Sequence, residues 1–352
     1  MNTLIGTLVW ALGGLAGAVF ALPFRGIKGF KYESYWFVYA LFGLVLFPLA
    51  LGFATIPELF DVIGAAPAKT LWMCALFGAL WGVGGLCWGL MIRYLGVGLG
   101  LAIGCGLCSA TGTLIPPIVK GEAASLVADT GAIVTLASVV VSLVGIVFVG
   151  LAGKSKEDEL PEEVKKASVA EFNFKKGLVV AAIAGIASAG MNFGLQGGEW
   201  SVMGAKVSLA QVAVMHGADK LWAGTPVLIV VLWGGFVVNA LWCLQQNLKN
   251  KSFGDYPKMF KPMGLAAVAL AGFAGVIWAC QFACQKAGES FAEDIAYISF
   301  AIVMGSSVLF SSLLGILLGE WKGTGKKTRA YLGIGLAVLA ASIAIAAAAK
   351  MI

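Results

Sequence analysis

The chain has 352 residues, of which 60% are hydrophobic and 12% charged, against about 25% charged in soluble globular chains. With 48 glycines and a mean hydropathy of +0.92, this composition excludes disordered, collagen-like and disulfide-framework classes. It also excludes a soluble enzyme, whose surface needs more polar residues. The net charge of +6 does not indicate nucleic acid, because the basic residues sort by membrane side.

A spanning helix needs about 20 mostly apolar residues. Ten segments qualify: 3–24, 35–55, 70–91, 98–118, 130–152, 177–195, 222–245, 262–284, 295–318 and 331–349. The start, Met1-Asn2-Thr3-Leu4, has no basic n-region, so the first segment reads as a retained span. Cys105-x-x-Cys108 lies inside an apolar run with no histidine nearby, so it reads as small apolar packing. No metal or cofactor is expected. The longest polar stretch, Gly153 to Lys176, carries mixed charge and follows the fifth span.

The predicted fold is therefore an all-α polytopic membrane protein. Residues 1–152 form a first five-helix repeat, 153–176 a cytoplasmic charged linker, and 177–352 a second five-helix repeat. Because five is odd, a duplicated half must lie upside down relative to its partner. Gly14-Leu-Ala-Gly-Ala in span one matches Gly185-Ile-Ala-Ser-Ala in span six. Gly82-Val83 with Cys87 matches Gly275-Val276 with Cys280, and Gly121-Glu122 matches Gly319-Glu320. Inverted repeats are a transporter architecture, with two halves rocking about a central site.

Charge predicts the orientation. The loop after span one, Arg93, the linker, the loop after span seven and the loop after span nine hold 18 of the 24 basic residues. The positive-inside rule puts that side in the cytoplasm and both termini outside.

Several stretches are familiar. Phe20-Ala-Leu-Pro-Phe-Arg-Gly-Ile-Lys-Gly-Phe-Lys-Tyr-Glu-Ser-Tyr-Trp36 resembles the first loop of the bacterial L-rhamnose–proton symporter family. So do Leu76-Phe-Gly-Ala-Leu-Trp-Gly-Val-Gly84 and Met91-Ile-Arg-Tyr-Leu-Gly-Val-Gly-Leu-Gly100, continuing to Gly112-Thr-Leu-Ile-Pro-Pro-Ile118. Glu171-Phe-Asn-Phe-Lys-Lys-Gly-Leu-Val179, Ser188-Ala-Gly-Met191, Tyr297-Ile-Ser299 and Gly319-Glu-Trp321 extend the likeness. More broadly the chain is similar to the drug/metabolite transporter superfamily, whose halves each end in a Gly-Glu after the fourth helix. Departures stand at Gly85, where that family often has Asn, and at Trp88, where it has Tyr. The resemblance implies proton-coupled uptake of L-rhamnose or a related sugar across the bacterial inner membrane. A different solute (another sugar, a nucleoside or a metabolite), with sodium as the ion, is the alternative.

A 6-deoxyhexose needs hydrogen-bonding groups for its hydroxyls and an aromatic platform for its apolar face. Asn192, Asn239 and Gln281 are amides inside spans; Gln196 and Gln285 stand at span ends. Trp81, Trp88 and Trp278 lie away from the interfacial belts. Each is either a substrate contact or helix packing. Trp36, Trp72, Trp222 and Trp321 at span edges read as interfacial anchors. Glycines in spans three and four, including Gly78, Gly82, Gly84, Gly85, Gly104, Gly106 and Gly112, read as close helix contacts.

Proton coupling needs a titratable group, and no Asp or Glu lies mid-span. The candidates are Glu293, Asp294 and His216; Glu320 reads as a structural feature of the repeat. A membrane enzyme would need paired histidines or an acid cluster, and the sequence has one histidine. No nucleotide-binding loop is present. The expected partners are a sugar, a proton and the lipid bilayer.

Overall fold

The computed structural model describes residues 2–95, 97–119, 121–159, 174–196, 208–319 and 321–349. Every regular element among them is helical. Helix α1 is Asn2–Val19. Helix α2, Tyr32–Leu41, passes through a single π turn at Phe42–Leu46 into Phe47–Thr55. Then come α3 (Ala68–Leu95), α4 (Val97–Val119) and α5 (Thr130–Asp158). Helix α6, Phe174–Ser188, is continued by Gly190–Leu195. The rest are α7 (Thr225–Asn250), α8 (Pro262–Glu289), α9 (Ser299–Leu317) and α10 (Lys326–Ala348).

Local chemistry sets the ends. Asp129 caps α5, its carboxylate accepting from the Ala132 amide at 2.7 Å. Pro226 and Pro262 stand in the first turns of α7 and α8, where a missing N–H costs nothing. Gly121 and Gly319 follow α4 and α9 with φ of +79° and +76°. Glycine reaches that left-handed geometry without strain, and it stops each helix. Glu320 lies outside the described residues, as do the linker residues 160–173.

Nine stretches among the described residues are long and apolar enough to cross a bilayer; in α4 the apolar part, Ile103–Ile118, is shorter. Large apolar side chains face outward along these helices, Leu8, Leu12, Val140, Val147, Leu241 and Phe273 among them. Water would not tolerate so continuous an apolar surface, and lipid covers it. The protein is a multi-pass membrane protein.

The helices pair in matched sets. Helix α1 lies along α8 and α9; α6 lies along α3 and α4. Helix α2 packs on α8, α7 packs on α3, and α5 runs against α10. Glycines set the closest approaches. A Cβ on Gly78 would lie 1.9 Å from the Val231 carbonyl oxygen, and one on Gly234 2.0 Å from that of Ala75. Helices α3 and α7 therefore touch backbone to backbone. Gly43 and Gly275 do the same for α2 and α8.

Four helices outrun their apolar segments: α3 continues to Leu95, α5 to Asp158, α7 to Asn250 and α8 to Glu289, past the expected ends at 91, 152, 245 and 284. Backbone hydrogen bonding carries a helix on after its apolar residues stop. The extra turn of α8 places Gln285, Lys286 and Glu289 on a helix face.

Candidate substrate site

A cleft of about 1250 Å³ opens on the side of the membrane where α4 ends and α5 begins. Its walls include Pro116, Gln196, Gln211, Lys220, Glu289 and Tyr297, from both halves of the chain. It is roomier than the roughly 300–1,000 Å³ typical of small-molecule pockets.

Beside it runs a polar network built on α8. Asn192, 1% exposed, donates through Nδ2 to the Gly112 carbonyl and accepts through Oδ1 from Gln285 Nε2 at 2.8 Å. Gln285 Nε2 also donates to Ser299 Oγ at 3.2 Å, and Ser299 Oγ donates to Glu289 Oε1 at 2.8 Å. Glu289 pairs with Lys286, whose ammonium also donates to the Leu195 carbonyl at 3.3 Å. Trp10 Nε1 donates to the Gln285 carbonyl at 3.0 Å and ties α1 to the same place. The network joins α1, α4, α6, α8 and α9. Buried polar groups of this kind are costly unless each finds a partner.

On the linker side an aromatic wall closes the path. Trp81 and Trp278 stack at 5.1 Å between ring centroids. Phe282 meets Trp278 edge-on at 4.7 Å, and Tyr39 and Phe20 complete its surroundings. Trp36 packs on Tyr39 at 4.6 Å, and its Nε1 donates to Asn239 Oδ1 at 3.0 Å. Trp36 is thus no interfacial anchor: its ring is turned inward, where the indole N–H has an amide partner. Asn239 spends its other group on the Gly235 carbonyl. Along α8 the wall at Phe282 stands about 10 Å from Glu289, at 1.5 Å per residue.

Trp81 and Trp278 are therefore brought together, and Asn239 joins the same wall. Asn192 sits in the polar network. Trp88 and Gln281 go elsewhere. Trp88 Nε1 donates to Ser188 Oγ of α6 at 2.9 Å. Gln281 lies against Gly17 of α1. In the sequence matches noted above, Trp88 aligns with Gln281 and Gly17 with Ser188. Each side chain fills the seam against the first helix of the other half. Glu293 and Asp294 line the cleft. His216 is exposed at the end of the short helix Leu209–Met215 and is not among the cleft's lining residues.

The sequence offers Ser299 only within the family likeness and Gln285 only as a span end, and Glu289 falls outside the candidates because the apolar run ends at 284. The spacing of Gln285, Lys286 and Glu289, at i, i+1 and i+4, was the available signal of one helix face.

The profile of the L-rhamnose-proton symport protein (RhaT) family matches residues 1–350. The L-rhamnose-proton symporter of Yersinia pestis bv. Antiqua (strain Antiqua) is 32% identical over 347 residues, covering 97% of each chain. That of Yersinia pseudotuberculosis serotype O:1b is 32% identical over 348 residues, again covering 97% of each. A helical membrane protein with a large polar-lined cleft fits such relatives, and the match runs nearly the length of the chain. The chain belongs to the L-rhamnose-proton symport protein family, and it is a transporter, not an enzyme.

Proposed function

We propose that this chain takes up L-rhamnose, or a closely related sugar, together with a proton, by alternating access in the bacterial inner membrane. The observation that carries the reading is the cleft, open on one side, with the amide and carboxylate network beside it and the stacked aromatics further along α8. Asn192 and Gln285 supply amides for sugar hydroxyls when the network opens, and the Trp81–Trp278 stack supplies an apolar platform beneath. The relatives named above are named for this sugar and this ion.

We read α4 as the tenth crossing, with 23 residues, and the bundle as a five-plus-five inverted repeat of the drug/metabolite transporter kind. The pairings support this, because exchanging α1–α5 with α6–α10 turns the packing pairs described above into one another. Gly14 meets Ser306 of α9, while its match Gly185 meets Gly104 and Cys108 of α4. The left-handed glycines after α4 and α9 are a second matched feature. In the orientation favoured by the basic residues, the cleft faces outside, with both termini. A single cysteine at Ser168 should then react with an impermeant thiol reagent only after the cells are permeabilised; labelling in intact cells would reverse the orientation.

Coupling sets the expected accumulation. One charge moving down 100 mV gains about 2.3 kcal/mol, enough to hold roughly a 50-fold sugar gradient. Energised vesicles should concentrate labelled L-rhamnose by about that factor, and a protonophore should abolish it. Accumulation that survives the protonophore and follows sodium would replace the proton, and preference for another sugar in a competition panel would replace rhamnose.

A further inference from the structure

The network beside the cleft is short of one hydrogen-bond donor. The Gly112 carbonyl can only accept, so the group facing it is Asn192 Nδ2. That turns Asn192 Oδ1 toward Gln285, which must present its amino group. Both amino hydrogens are then used, on Asn192 Oδ1 and on Ser299 Oγ. Ser299 passes its own hydrogen to Glu289 Oε1. What remains is Gln285 Oε1, in a side chain 0% exposed, with no hydrogen-bond partner among the described residues. Buried acceptors are rarely left this way. Glu289 stands four residues further along α8, on the same helix face. As a carboxylate it can only accept; protonated, it becomes a donor.

We propose that Glu289 carries the coupling proton, its protonated carboxyl donating to Gln285 Oε1. The inference rests on the proton-coupled reading above. In the open state a proton from the cleft water forms one O–H bond at Glu289. The same proton leaves to water on the linker side once the halves have rocked, so the cycle returns the group unchanged. Lys286 on its own helix pairs with the carboxyl, and the other charged groups lining the cleft with it are Glu293 and Asp294 before α9, Asp129 at the start of α5, Glu122 after α4 and Lys220 before α7. The Tyr297 hydroxyl group shares the cleft. Among these described groups carboxylates outnumber lysines, so one added proton reduces the negative charge that closure must strip of water. The same event supplies the donor that Gln285 lacks and links the carboxyl to Asn192. Protonation and closure of the network around a sugar are thereby one event.

The test uses the purified full-length protein in lipid. A pH-difference infrared spectrum should contain the carbonyl band of a protonating carboxyl, lost in Glu289→Gln and kept in Glu293→Gln and Asp294→Asn. In vesicles Glu289→Gln should exchange labelled L-rhamnose across the membrane yet fail to concentrate it, falling from about 50-fold to equality. Lys286→Met, which removes the adjacent cation, should move the band's titration to higher pH. That variant decides the matter if Glu289→Gln does not fold. A band that persists in Glu289→Gln, or that is indifferent to Lys286→Met, overturns the assignment. So does proton-driven accumulation by Glu289→Gln. If the wild type does not concentrate L-rhamnose, the substrate reading has failed, and the infrared comparison still decides Glu289.

Discussion

Trp278→Ala is expected to open the linker side. The ring of Trp278 meets Trp81, Phe282, Tyr39 and Phe20. Aromatic pairs contribute about 0.5–1.5 kcal/mol each beyond burial, so deleting the ring removes roughly 2–6 kcal/mol from the closed wall. Carrying a two-state equilibrium from 1:99 to 99:1 takes about 5.5 kcal/mol, so the change shifts the resting state strongly and at its upper end inverts it. Cys243 is a native reporter, because it is 1% exposed and adjoins Trp242, whose ring meets Tyr32 in the wall. In a variant whose other six cysteines are replaced, maleimide labelling of Cys243 should rise at least about tenfold on adding Trp278→Ala. Unchanged labelling of a folded variant would show that the aromatic cluster is packing and not a gate.

Gly78→Val should cost the cell most of its folded transporter. The new Cβ would lie 1.9 Å from the Val231 carbonyl oxygen of α7. Overpacking typically costs about 1–3 kcal/mol, and here the obstacle is backbone, which has no rotamer to escape into. Helices α3 and α7 would have to separate, and Trp81 would move with α3 off the α7 surface it shares with Gly235. The comparison is Gly85→Val, seven residues along the same helix, where no described residue lies within 4 Å of the new Cβ. Monodisperse yield and melting temperature in detergent should fall sharply for the first and stay near wild type for the second. Equal behaviour would mean that α3 and α7 are not in backbone contact.

The amino-acid sequence by itself determined the class of this protein. Sixty per cent hydrophobic residues cannot be hidden in a chain of this length, so the helices had to face lipid. It determined the approximate place of each helix, since a bilayer fixes the apolar length. It also supplied the family resemblance. Tertiary structure decided the rest. Gly78 and Gly85 look alike in the sequence, and only the position of α7 makes one a contact and leaves the other in open space. Gln281 and Gln285 are both amides one turn apart on α8. One fills the seam at Gly17, and the other lies at the centre of the network, because their side chains point about 40° apart and meet different neighbours. Trp36 looked like an interfacial anchor until α7 brought Asn239 to its N–H. Glu289 escaped the sequence reading because hydropathy measures where lipid ends, whereas backbone hydrogen bonding determines where a helix ends. The polar turn between those two limits is where this chain places the half-buried Glu289 carboxylate.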